Sequence, residues 1–137
     1  MSPRSSSDFR QSAVIPVRWR DGSPQVLVIS SRKGKRWVVP KGIIEPELTP
    51  AASAAKEALE EAGVSGDLRE PSLGTYRYAK WGGTCVVEVF LLLVTEVRAK
   101  WEESFRRRKW LSPKAAAARL KEPDLREMVR GVATSRR

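Results

Sequence analysis

The sequence predicts an α/β or α+β layered domain, a strand-rich chain with one central helix and two more near its end. Three observations predict it. Apolar, β-branched runs recur at 12–18 (SAVIPVR), 25–30 (QVLVIS) and 84–97 (TCVVEVFLLLVTEV). One Ala- and Glu-rich stretch follows Thr49-Pro50 and stops at Gly63. Two further helix starts, Ser112-Pro113 and Pro123, lie close together near the C-terminus. Elements in that order bury their apolar faces most simply as stacked layers.

Taken in order, residues 1–10 are polar and Ser-rich and are expected to be flexible, leaving 11–137 as a single domain. The first two strands are separated by the turn signal Asp21-Gly22-Ser23-Pro24. A basic loop, Arg32-Lys33-Gly34-Lys35-Arg36, leads into a short strand at 37–39, which Pro40-Lys41-Gly42 should break. With Thr49 as N-cap and Pro50 as first helical residue, a helix is expected over roughly 50–62. Strand and turn share 67–78, with the strand at 73–78. The run at 84–97 reads as buried enough to lose its alternation. After the charged segment 98–109, Trp110-Leu111 is expected to rejoin the sheet as a last strand, followed by helices at about 113–120 and 123–133.

Composition narrows the chemistry. The chain has no histidine, which removes Ser-His-Asp and Cys-His catalysis and His-based zinc sites. Acid–base and metal chemistry must then rest mainly on Asp, Glu, Lys, Tyr and backbone, favouring oxygen-seeking Mg²⁺ or Mn²⁺. One cysteine, Cys85, allows no internal disulfide, and the absence of a membrane-length apolar run or signal-like start adds to a cytoplasmic expectation. A net charge of +10 attracts polyanions, whether nucleotides, inositol phosphates or nucleic acid.

The helix from Pro50 carries the acids. At about 100° per residue, Glu61 lies roughly 40° to one side of Glu57 and Glu60 roughly 60° to the other. Ala51, Ala55, Ala58, Leu59 and Ala62 occupy the opposite arc. A solvated acidic face is the plain reading of such a cluster. Against it, the acids sit in the last two turns, where the helix dipole disfavours negative charge. Residues 42–64 also carry five acids against one lysine inside a basic chain. A bound hard cation relieves that repulsion.

The run 42–64, GIIEPELTPAASAAKEALEEAGV, resembles the signature of the Nudix (MutT-like) hydrolases: Gly, five residues, Glu, seven residues, Arg-Glu, an apolar residue, any residue, Glu-Glu, any residue, Gly and an apolar residue. Gly42, Glu57, Ala58, Glu60, Glu61, Gly63 and Val64 fall in register. Leu48 and Lys56 depart, standing where the pattern has Glu and Arg. The resemblance implies an α/β/α sandwich with a mixed sheet, and hydrolysis of a phosphoanhydride with Mg²⁺ or Mn²⁺. It implies Glu57 and Glu61 as metal ligands, the Gly42 backbone as a further one, and Glu60 as third ligand or catalytic base. Within the family, 30–40 and 94–110 are similar to the diphosphoinositol polyphosphate and diadenosine polyphosphate hydrolase branch. That likeness implies phosphate contacts from Ser31, Arg32 and Lys41, and from Arg106, Arg107 and Arg108 in the later loop. The expected partner is a polyanionic small molecule, with no membrane and a monomer or homodimer. Two other functions stay open: a binding module that has lost turnover through Leu48 and Lys56, and processing of RNA 5′ ends.

Overall fold

The computed structural model describes residues 8–134. Within them, β1 (Asp8–Arg20), β2 (Ser23–Ser30), β3 (Trp37–Val38), β4 (Lys41–Ile43), β5 (Val64–Lys80), β6 (Gly83–Val97) and β7 (Arg108–Leu111) build one mixed sheet. The main path runs β3-β2-β1-β6-β5, with β4 paired to β1 and β7 to β2. The β1–β6 pair is parallel, and the other pairs are antiparallel. Helix α1 (Pro50–Glu57) covers one face, while α2 (Pro113–Arg119) and α3 (Pro123–Gly131) cover the other.

Period-two alternation sorts the central strands into two cores. Ala13, Ile15 and Val17 of β1 join Val87 and Val89 of β6 against Ala116, Leu125 and Val129. On the opposite face, Val14, Phe90 and Leu92 pack against Ala54, Ala58 and Ala62. The 84–97 run looked unalternating because both faces are covered: the alternation is between two apolar sets.

Three boundaries differ from the sequence reading. Residues 1–7 lie outside the described residues, but Asp8–Arg10 belong to β1, where Thr84–Val86 of β6 supply a ladder partner. Strand β3 stops at Val38, before Pro40 as expected, but the chain stays in the sheet. The Pro40 carbonyl accepts from the Val14 amide at 3.1 Å, and Lys41–Ile43 continue as β4 beside Gln11–Ala13. Finally, β5 is one strand from Val64, its ladder interrupted between Arg69 and Gly74 around Pro71. Local breaker residues suggested stops that pairing with long neighbours overrode.

Candidate active site

Helix α1 begins where the sequence places it. The Thr49 hydroxyl accepts from the Ala52 amide at 3.0 Å, a cap worth about 1 kcal/mol, and Pro50 follows. Buried Ala54, Ala58 and Ala62 let the helix lie close on the sheet. From Ala58 to Ala62 it widens into a π turn, then ends at Gly63 with φ 68°. The orphan carbonyls of that end are all taken by residues 98–108. Glu60 O accepts from the Glu103 amide (2.9 Å) and Gly63 O from the Arg98 amide (2.8 Å). Glu61 O accepts from the Trp101 indole (3.0 Å) and Ala62 O from the Arg108 guanidinium (3.1 Å). Donors and a cation at this end offset the dipole.

The three acids make different contacts at this widened turn. Glu57 lies on Gly42 of β4: a Cβ built on Gly42 would overlap the Glu57 carboxyl group. Glu61 accepts from the Lys41 amide at 3.2 Å and faces Arg106 Nη2 at 3.7 Å. Glu60 turns instead to Lys56, at 3.3 Å, whose ammonium also bonds Glu45 at 2.5 Å. Glu45 thus supplies Lys56 with a carboxylate partner that Leu48 cannot. Buried Ser53 ties α1 to this segment, donating to Ile43 O (3.3 Å) and accepting from the Glu45 amide (3.4 Å).

These residues fit a hard cation in part. The Glu57 carboxylate has neither a hydrogen bond nor an ion pair with any described residue. Burial, then Glu61 and Glu60, push its pKa up to about 8. Burial also raises Glu61, with Arg106 and the Lys41 amide opposing. Two repelling, partly desolvated carboxylates over a glycine are a donor set that a divalent oxygen-seeking ion satisfies. Among the described residues no three acids converge on one point, since Glu60 is held by Lys56.

A pH dependence follows for the cation-free chain. A carboxyl whose folded pKa stands at about 8, above its ordinary 4.5, keeps its proton in the folded state while the unfolded state has lost it. Stability is therefore highest below the ordinary value and falls as pH rises toward 8. In chelator, the Tm of the native chain should drop relative to Glu57→Gln between pH 5 and 8.5. Parallel Tm curves for the two proteins would contradict the shift.

Beside this acidic wall lies a cleft of about 460 Å³, bordered by Gly42 and Glu61. Of the expected phosphate contacts, Ser31, Arg32 and Lys41 line it. Ser31 Oγ accepts from the amides of Lys35 (3.2 Å) and Arg36 (3.3 Å), shaping the basic turn. Burial lowers the Lys41 pKa. Arg106 borders the cleft too, but its side chain is buried and bonded to Ser30 O and Glu103, each at 2.9 Å. Arg107 and Arg108 are not among the lining residues. Arg107 reaches Gly34 O at 3.1 Å and lies 5.0 Å over Trp37, and Arg108 stacks on Trp101 at 3.8 Å. Glu88 pairs with Arg10 at 3.8 Å and is not among the lining residues. Sequence reasoning missed Gln11 and Lys80 as lining residues. Neither carries a motif; the β1–β6 and β5–β6 registers bring them there.

A family profile described as NUDIX domain matches residues 8–132. Diphosphoinositol polyphosphate phosphohydrolase 3-alpha of Mus musculus is 42% identical over 104 residues, covering 74% of this chain and 62% of that protein. Nudix hydrolase 21, chloroplastic, of Arabidopsis thaliana is 40% identical over 105 residues, covering 72% and 52%. The chain thus spans between 52% and 62% of these two relatives' own length. Among solved structures, the C. elegans Ap4A hydrolase binary complex has a TM-score of 0.74 at 18% identity, covering 92% of this chain and 96% of that one. At that identity the likeness concerns the fold, a mixed sheet between helices. No helix of the described residues is long and apolar enough to cross a membrane. The profile runs from the first residue of β1 to just beyond α3, and the chain therefore belongs to the Nudix family.

Proposed function

We propose that this chain hydrolyses a phosphoanhydride in a polyanionic small molecule, a nucleoside diphosphate derivative, dinucleoside polyphosphate or diphosphoinositol polyphosphate, using Mg²⁺ with Mn²⁺ as a substitute. The observation that carries this reading is the meeting of opposite charges: a cleft lined by Arg32, Lys33, Arg36, Lys41 and Lys80 abuts the wall of Gly42 and Glu61. Nudix hydrolases generally use divalent metal ions. Glu57 and Glu61, with the Gly42 backbone, would hold the ion. Bound there, it supplies charge neutralisation at the scissile phosphates and acidifies the attacking water.

The remaining steps belong to the protein. Arg32, Lys41 and their cationic neighbours bind phosphate oxygens and orient the anhydride against the carboxylates. Glu60, once released from Lys56, completes the acidic set or takes a proton from water. Cys85, buried and unpaired, accords with a reducing, cytoplasmic setting.

The competing reading is a polyphosphate-binding module without turnover, which the Lys56–Glu60 contact favours. Phosphate and pyrophosphate release over a panel of dinucleoside polyphosphates, nucleotide sugars and diphosphoinositols separates the two. The expected result is Mg²⁺-dependent release from at least one compound, falling about a hundredfold or more in Glu57→Gln. Binding without release from any panel member, with Mg²⁺ or Mn²⁺, would leave the module.

A further inference from the structure

Two hairpin tips in this fold share one geometry and differ in one residue. Asp21–Gly22 joins β1 to β2 with φ of 55° and 79°, and Trp81–Gly82 joins β5 to β6 with φ of 56° and 72°. Two successive left-handed residues make the tight turn whose twist suits paired strands, and Asn, Asp or Gly occupies its first position at least cost. The first tip obeys that preference. The second places the bulkiest side chain in the left-handed region, where Cβ crowds the following carbonyl.

The fold does not recover this cost. Trp81 belongs to neither core and is 54% exposed. Its contacts are the Phe9 ring, edge to face at 5.2 Å, and Lys80 Nζ at 4.6 Å from its own ring centre. What Trp81 does border is the cleft that holds Arg32, Lys41 and Glu61. A strained, solvent-facing aromatic residue at the rim of a polyanion site has a use for its exposed surface.

We propose that Trp81 is a stacking platform for a nucleobase, so that the substrate is a nucleotide derivative. This rests on the polyphosphate-hydrolase reading and narrows it. The cations of the cleft account for phosphates in any candidate substrate, whereas an indole face adds π stacking for a planar nucleobase. An inositol ring is saturated, hydroxylated and without a π face. Lys80, beside the indole, stands where phosphate and base would meet, and carries the charge for the first while leaving the second to Trp81.

Calorimetric titration with α,β-methylene-ADP and with methylenediphosphonate, in the same Mg²⁺ buffer, tests it. The two ligands share the non-hydrolysable diphosphonate, and one carries the nucleoside. The native chain should bind the nucleotide about tenfold more tightly. Trp81→Asn suits the turn, so its Tm should equal or exceed that of the native chain, and its preference should fall to about twofold or less. Trp81→Phe should keep most of the preference. A preference that survives Trp81→Asn, equal weakening of both ligands, or equal binding of both by the native chain overturns the platform alone. Failure of the native chain to bind either ligand overturns the polyphosphate reading and the platform with it.

Discussion

If Glu57 holds the proposed cation, Gly42→Ala is expected to lower cation-dependent turnover about a hundredfold while leaving the protein folded, because the added methyl displaces that carboxylate rather than a core residue. The Cβ would overlap the carboxyl carbon and both oxygens of Glu57. Those atoms end a flexible side chain that makes no hydrogen bond, so the carboxylate swings aside at little energetic cost. Gly42 lies in β4 without a left-handed φ, so its backbone accepts alanine, and the loss of chain entropy in the unfolded state adds about 0.4–1 kcal/mol of stability. The Tm in chelator should therefore be unchanged or slightly higher, while the rise in Tm on adding Mg²⁺ shrinks. The double variant Gly42→Ala/Glu57→Gln should be no slower than the worse single variant, since both remove the same carboxylate. Native turnover in Gly42→Ala would show that Glu57 has no task at this position.

That variant also shows which parts of the site could be read from sequence. The Gly-to-Glu spacing of 42 and 57 was legible because a helix start, a helix stop and an acid cluster are local signals, and all survive in α1 and the π turn that extends it to Gly63. The closeness of Gly42 to Glu57 was not, since it depends on β4, a strand made by pairing with β1 across a proline-marked boundary. The same holds for the division among the acids. Regular helical angles group Glu57, Glu60 and Glu61, but they do not say that Glu60 pairs with Lys56 four residues back while Glu57 lies on Gly42 and Glu61 on the Lys41 amide. Lys80 reaches the cleft through the register of two long strands, β5 and β6, information spread over a whole hairpin. The contacts of the basic run 106–108 were not legible for a further reason. Charge in sequence implies solvent or a polyanion, but here the partners are backbone carbonyls and carboxylates of the protein itself.

Arg106→Ala is accordingly expected to act on stability, by about 3 kcal/mol, rather than on phosphate affinity. The side chain is 6% exposed and satisfies three groups at once: Ser30 O at 2.9 Å, Glu103 at 2.9 Å and Glu61 at 3.7 Å. Removing it leaves two carboxylates and a carbonyl facing each other in a poorly hydrated space. For a chain of this size that deficit corresponds to a fall in Tm of about 10 °C. Arg106→Lys restores the charge but not the planar fork, so it should recover only part of the loss. Because Arg106 opposes the burial that raises the Glu61 pKa, its removal drives that pKa higher, and the Tm deficit should narrow as pH falls and Glu61 takes up a proton. Urea melts and Michaelis–Menten kinetics at pH 5 and pH 8 distinguish the two roles. A variant as stable as the native chain but with a raised KM would return Arg106 to the substrate. A less stable one with lowered kcat would fix it as the brace between residues 98–108 and the carbonyl end of the helix that carries Glu57, Glu60 and Glu61, holding Glu61 in place.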